Sequence, residues 1–396
     1  GLGNCRRLKK LELDYSEKEA NTNLDGRVLE ACRSVALRNM TVRNCPNVTG
    51  HADFESQVIQ TIDFRGTGVT GITVPETDSL TAIRLGAATT ELRFSHLAGL
   101  QTLTVEGTDN LGVISLNECP GADIRPILYE ALMGDVLREV SLRGVNWSNF
   151  GVQYLERLAA LGADITGRIA IAASANMPFA LKQKCLDAWG DIDSTDNALF
   201  ISYTKRPVDI IRISGAGYYG EPGEYQLTVV PEDPYANDFT KIEWSMTPSS
   251  YADIDTLTGR VHVSRTGTEE LAPTAEVTVT VTKADGTTVS RTTTVGFYER
   301  TCQLGDFVYA DGSYSDIYDE GRTVVAICSY IDPENPSLRL GVAPHTIGSG
   351  PYGAEKGYTL TDDSAYNPVN IPGIPNTYIN NTSVIPGRAS ETPVVW

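Results

Sequence analysis

The first half of the chain carries pairs of apolar residues separated by a single position, and the pairs return about every ten to eleven residues: Ile62/Phe64, Ile72/Val74, Ile83/Leu85, Leu92/Phe94, Leu103/Val105 and Ile114/Leu116. On an extended backbone, residues two apart point to the same side. Each pair therefore predicts a very short strand with two inward side chains. A fixed beat of such strands predicts a solenoid, whose units bury their faces only against their neighbours. Toward both ends the beat lengthens. From Leu13 to Val42 and from Leu142 to Ile171 the step is 29 residues, and these intervals hold helical patterns over Asp25 to Ala36 and Asn149 to Leu161. A helix on the convex side accounts for the longer step, whereas the central units have room only for a turn or a second short strand. A further helical stretch, Pro178 to Trp189, and the apolar strand Ala198 to Tyr203 read as a closing unit.

After residue 205 the pattern changes to strands of alternating Val, Ile, Thr and Tyr: Val208 to Ser214, Glu224 to Val230, Lys241 to Met246, Arg260 to Ser264, Glu276 to Thr282 and Thr288 to Phe297. This spacing is that of a β-sandwich. Asp285-Gly286 lies between the last two strands and supplies the positive-φ residues of a tight hairpin. Residues 300–396 are rich in Tyr, Gly, Pro and Asp and contain an apolar strand at Thr323 to Tyr330. The fold expected is mainly β with some α, in three parts: a solenoid over 1–205, a sandwich over 206–299 and a β-rich module over 300–396.

These residues resemble known families. Asn4-Cys5-Arg6-Arg7-Leu8-Lys9-Lys10-Leu11-Glu12-Leu13 is similar to the leucine-rich repeat phrase N-C-x-x-L-x-x-L-x-L, and Asn44-Cys45-Pro46-Asn47-Val48 echoes its opening. Asn117-Glu118-Cys119 departs from the phrase, because Glu118 separates the Asn from the Cys. Residues 206–299 resemble a bacterial immunoglobulin-like domain through Gly223 to Leu227, Pro231, Ile242-Glu243-Trp244, Ala252-Asp253-Ile254 and Thr258-Gly259-Arg260-Val261, without a cysteine pair between the sheets. Gly305 to Ser313 is similar to C-terminal regions of surface proteins from Bacteroides-type gut bacteria and their phages, some of which adopt a fold related to C-type lectins. Asp78-Ser79-Leu80, Asp255-Thr256-Leu257 and Asp363-Ser364-Ala365 resemble the O-glycosylation signal of such exported proteins. Together the resemblances imply a bacterial protein that is secreted or held at the cell surface.

At 396 residues the chain is too long for one core. Its 50 acidic and 32 basic side chains give a formal charge of -18. That charge repels a phosphate backbone and, with no Lys/Arg cluster to override it locally, argues against a nucleic-acid partner. No apolar run approaches the roughly 20 residues that span a bilayer, so no membrane span is expected. The chain opens at Gly1 rather than Met and reads as mature or trimmed, and its apolar end Val394-Val395-Trp396 reads as either cut or buried against a neighbour. Seven cysteines spread over this length make no disulfide scaffold. Four histidines and no CxxC pair make a structural zinc site a poor expectation, and neither a cofactor nor a metal is expected.

Candidate chemistry is sparse. Gly66 to Gly71 and Gly215 to Gly220 both fit GxGxxG, but strand signals follow them, so no helix N-terminus is available to hold a pyrophosphate. Asp306, Asp311, Asp316, Asp319 and Glu320 crowd together but miss the EF-hand spacing and read as a solvated acidic loop. His51, His96, His262 and His345 flank no Ser or Cys in a nucleophile motif, and His262 reads as an outward histidine on a strand. No catalytic residue is expected. The long regular surface of a solenoid points to recognition, so the candidates are outward residues beside the apolar pairs: Arg84, Arg93, Thr102 and Thr104. In the C-terminal part, Tyr309, Tyr314 and Tyr318, with Tyr330, Tyr352, Tyr358, Tyr366 and Tyr378, offer flat amphipathic side chains suited to sugar or protein surfaces. The function expected is non-enzymatic extracellular recognition or adhesion, through protein binding or carbohydrate binding, with a host or bacterial surface protein or glycan as partner. The alternative is a structural component of a phage tail or fimbrial tip assembly.

Overall fold

The computed structural model describes residues 2–310, 313–316, 318–319, 322–331, 333, 339–342 and 393–395. Over these residues the chain is mainly β, with its strands distributed among several small sheets. It divides into two compact units, Gly1–Arg206 with Tyr235–Asn237, and Pro207–Pro234 with Asp238–Trp396. Residues on either side of position 299 fall in the same unit.

The first unit contains twelve of the strands: β1 (Lys10–Asp14), β2 (Asn39–Arg43), β3 (Cys45–Asp53), β4 (Thr61–Phe64), β5 (Thr67–Thr73), β6 (Ala82–Leu85), β7 (Glu91–Ser95), β8 (Thr102–Val105), β9 (Val113–Asn117), β10 (Glu139–Phe150), β11 (Asp164–Ile171) and β12 (Leu199–Ser202). They pair in parallel. One sheet has the order β1-β2-β4-β6-β8, a second has β12-β11-β10-β9-β7, and β3 pairs with β5. Consecutive apolar pairs therefore enter different sheets, and the spatial repeat is twice the beat seen in the sequence. Met40, Ile62, Ile83 and Leu103 stand opposite one another in the first sheet, as do Phe94, Leu116, Leu142 and Ile165 in the second. All eight side chains are buried in one continuous core that extends from Val28 to Ile201.

The longer steps do contain helices, but on two different sides. The 3-10 helix Gly26–Arg33 follows β1 and packs against β3 of the other layer. At the far end, α1 (Arg125–Met133), α2 (Val152–Ala160) and α3 (Phe179–Trp189) alternate with β10, β11 and β12, taking the place in the sequence order that first-sheet strands hold up to β8. α1 packs on α2 and α2 on α3. A single convex helical side does not describe this arrangement.

Buried hydroxyls tie successive turns together. Ser34 Oγ donates to Leu8 O at 2.9 Å, Ser56 Oγ to Leu37 O at 2.7 Å and Thr77 Oγ1 to Gln57 O at 2.7 Å. Of the three acceptors Leu37 is buried, so its carbonyl would otherwise lack a partner. The Asn-Cys phrase has a local cause as well. Asn44 takes the left-handed turn (φ 53°) out of β2 and donates its amide to Tyr15 O and Lys18 O, while Cys45 is buried behind it. In Asn117-Glu118-Cys119 it is Glu118 that takes this turn (φ 54°), so Glu118, not Asn117, corresponds to Asn44. The unit is closed by α3, where Lys182 is fully buried with its Nζ 2.8 Å from Asp193 and 2.6 Å from Tyr203 Oη.

The second unit is antiparallel wherever its strands pair. β13 (Ile211–Ser214) pairs with β15 (Thr228–Pro231); β14 (Gly223–Gln226) and β17 (Ala252–Ile254) flank β18 (Arg260–Val263); β16 (Phe239–Met246) and β20 (Thr288–Gly296) flank β19 (Thr274–Lys283). The single strand expected from Glu224 to Val230 is broken at the buried Leu227, whose N–H bonds Gly259 O, and its halves join different sheets. Gly259 (φ 70°) lies under the indole of the buried Trp244, where an added Cβ would come within 2.5 Å of the ring. In the hairpin between β19 and β20 only Gly286 has positive φ, 82°. Gly286 N bonds Lys283 O and Lys283 N bonds Thr287 O, a three-residue loop ending on a left-handed glycine rather than a two-residue turn. β21 (Phe307–Tyr309), β22 (Tyr314–Ser315), β23 (Val324–Ile331), β24 (Arg339–Val342) and β25 (Pro393–Val395) form a final sheet.

Candidate ligand-binding face

The outward positions of the first sheet lie between its buried ones. In register across the strands they are Glu12, Thr41, Asp63, Arg84 and Thr104, with Lys10, Asn39, Thr61, Ala82 and Thr102 one pleat away, Asp63 and Ala82 being covered by their neighbours and buried. At the β1 end the charges are mutually satisfied. Arg43 donates to Asp14 at 2.9 Å and to Asp63 at 2.7 and 2.9 Å, and Arg65 donates to Asp63 at 2.8 and 3.0 Å. Burial raises the pKa of the Asp63 carboxyl, but the hydrogen bonds from Arg65 and Arg43 outweigh it and hold the group below its ordinary 3.8.

Toward the β8 end the face is different. Arg84 has no hydrogen bond or ion pair among the described residues, nor do the side-chain hydroxyls of Thr102 and Thr104. Arg84 stands directly opposite Thr104 on the neighbouring strand, a spacing of about 4.8 Å. A half-exposed guanidinium beside two free hydroxyls offers a planar pair of donors and two groups that both donate and accept. Such a set binds a carboxylate, sulfate or phosphate together with neighbouring hydroxyls. Among the described residues neither threonine hydroxyl is hydrogen-bonded to a base.

Arg93 does not join this group. It is on β7 in the second sheet, with Nε bonded to Glu91 at 3.0 Å and its two terminal nitrogens to Glu139 at 2.8 and 3.0 Å. The hydrogen bonds from Glu139 and then Glu91 push its pKa above the ordinary arginine value. Two carboxylates already occupy the fork, so Arg93 acts as an inter-strand tie.

The tyrosines separate by burial. Tyr309 is 1% exposed, its Oη accepts from Asp319 N at 2.7 Å and Arg322 covers its ring, so it cannot present a face to a ligand. Tyr314 is half-buried, donating to Arg300 O and lying under Arg339. Tyr318, at 53% exposure, is the exposed one of the three. Tyr330 is half-buried on β23, and Tyr352, Tyr358, Tyr366 and Tyr378 fall outside the described residues.

The acidic segment is also not simply solvated. Asp306 is buried against Arg300 at 2.5 and 2.9 Å, Asp319 is buried and accepts from Gly215 N at 2.7 Å, and Asp316 accepts from Tyr218 Oη at 2.9 Å. These three carboxylates are internal ties; Asp311 and Glu320 lie outside the described residues. No group of His, Cys, Asp and Glu among the described residues is arranged to hold a metal ion. His262 is outward on β18, 2.6 Å from Glu224.

Sequence reasoning missed a cleft of about 730 Å³ in the first unit, formed beside the turns after β9 and in β10. Leu116, Leu142 and Trp147 line it with Cys119, Arg125 and Arg143. Its cations are committed, Arg125 to Asp123 and Arg143 to Asp164. Burial raises the pKa of the Cys119 thiol and so disfavours the thiolate. No protein-family model matches the chain, and no curated protein is significantly similar to it in sequence.

Proposed function

We propose that the protein is a non-enzymatic extracellular or cell-surface recognition protein, in which a leucine-rich-repeat-like solenoid carries the binding face and an immunoglobulin-like module follows it. The observation that carries this reading is the open cluster Arg84, Thr102 and Thr104 on a sheet whose other outward charges are paired. The ligand is a surface glycan or protein segment with an anionic group placed at Arg84. Tyr318 offers a further contact in the second unit. The solenoid reading is supported by parallel strands whose facing residues recur every 20 to 22 positions, as from Ile62 to Ile83, Ile83 to Leu103 and Leu92 to Ile114.

The test is a glycan and surface-protein array probed with the intact protein, followed by the hits against R84A and a T102A/T104A variant. Arg84→Ala should weaken binding to anionic hits at least tenfold at unchanged melting temperature, since the side chain has no intramolecular partner. Binding should survive calcium chelation. Equal binding by wild type and both variants would move the site off this face, and loss of binding in EDTA with recovery on adding Ca²⁺ would replace it by a metal-dependent one.

A further inference from the structure

Seven thiols occur in the chain and all are unbonded in this structure. Two of them, Cys302 and Cys328, are neighbours. The segment after Cys302 folds back on β23, with Gly305 N bonding Cys328 O and Cys328 N bonding Asp306 O, both at 2.8 Å. The two side chains meet beneath that turn, at 5% and 1% exposure, each in contact with the other's sulfur. Neither has a strong alternative partner: the Cys302 Sγ contact with Gln303 O is 3.9 Å and the Cys328 Sγ contact with Tyr330 O is 3.8 Å. The chain between them is the acidic segment whose Asp306, Asp316 and Asp319 tie it to Arg300, Tyr218 and Gly215.

We propose that Cys302 and Cys328 are a disulfide-forming pair, closed by thiol–disulfide exchange when the chain folds in an oxidising compartment. In the reaction both S–H bonds break and one S–S bond forms. Two electrons and two protons pass to the disulfide of the oxidant, a dithiol–disulfide oxidoreductase or oxidised glutathione, which leaves as two thiols. The bond closes the loop that holds β21 and β22 against β23. Burial, and then the neighbouring thiol, pushes Cys302 up to about 12, so the thiolate is disfavoured once the segment has docked. Exchange is therefore favoured during folding, and the docked thiols resist late oxidation. This inference does not depend on the recognition reading, because a thiol count tests it with no ligand present.

The experiment refolds the full chain from denaturant with an oxidised/reduced glutathione couple and, in parallel, with excess reductant. Each product is then unfolded, alkylated without further reduction, and read by intact and peptide mass spectrometry. The expected result is five alkylated thiols in the oxidised product, a peptide pair linking Cys302 to Cys328, and a melting transition about 5–10 °C above that of the reduced form. Cys302→Ser and Cys328→Ser should each abolish the rise. Should either variant fail to fold, the wild-type peptide map still decides the matter. Seven alkylated thiols after oxidative refolding, or a bond between other cysteines, overturns the proposal.

Discussion

Replacing Asp193 by Asn removes the charged partner of Lys182, a side chain with no exposure whose Nζ lies 2.8 Å from the carboxylate and 2.6 Å from Tyr203 Oη. What remains is a buried ammonium with a neutral phenol and a neutral amide, and breaking a buried pair from one side in this way costs about 3–5 kcal/mol. The reverse change, Lys182→Met, is milder for a geometric reason. Asp193 is 10% exposed and keeps Lys205 at 3.5 Å and the Tyr203 hydroxyl at 2.6 Å, so its charge is not stranded, and a cost of about 1–2 kcal/mol is expected. At about 2–4 °C per kcal/mol for a unit of this size, Asp193→Asn should lower the first unit's melting temperature by roughly 6–20 °C, clearly more than Lys182→Met does. The pH dependence gives a second reading. Burial already lowers Lys182 below its ordinary 10.5, against the pull of Asp193. Without Asp193 the folded-state value falls further, while the unfolded value stays put. Between those two values the unfolded chain holds a proton that the folded chain does not, so the variant's stability must rise with pH up to about 10.5. Calorimetry at pH 7 and pH 9.5 checks both points. Equal losses from the two substitutions, or an Asp193→Asn deficit that grows with pH, would refute the reasoning.

Two further predictions follow from the first sheet and the hydroxyl ties. Asp63 has a depressed pKa, so the stability it supplies is fully present above 3.8 and is lost as pH falls through its folded value. Asp63→Asn should therefore cost about 1–3 kcal/mol by urea unfolding at pH 5 and progressively less toward pH 3, and a gap that stays constant between those pH values would argue against the pairing with Arg43 and Arg65. Ser56→Ala should cost about 1–3 kcal/mol by leaving Leu37 O buried and unpaired, and a melting curve identical to wild type would show that the carbonyl finds another donor.

Much of the first unit was legible because each apolar pair fixes a strand and its inward face. What the pairs could not show was which strand stands beside which. Ile72 and Ile83 look like successive units of one ladder, yet they lie in β5 and β6 of different layers, since a chain that alternates layers returns to each only every second strand. A signal for the true spacing was present in Ser34, Ser56 and Thr77, three small hydroxyl residues about one spatial repeat apart, but polar residues in a buried ladder resemble ordinary loop residues until their carbonyl partners are known. Helix α1 was missed because its apolar positions run nearly continuously from Ile127 through Leu132. Of the candidate site, the outward placement of Arg84, Thr102 and Thr104 was readable from alternation along the strands. The occupation of Arg93 was not, because Glu139 lies far from it in sequence and reaches it only through the pairing of β7, β9 and β10. Tyr309 failed as a contact residue for a similar reason: composition cannot tell a tyrosine that hydrogen-bonds inward from one that faces out.

The change of helical side after β8 also ends the first sheet at that strand. Among the described residues five strands about 4.8 Å apart make a strip about 19 Å across, and beyond β8 helices take the place of further strands. An extended chain laid across these five strands would be in register with about six residues. On the proposed reading, β8 is the edge at which a longer ligand would leave the sheet, and the residues beyond that edge would add nothing to the contact.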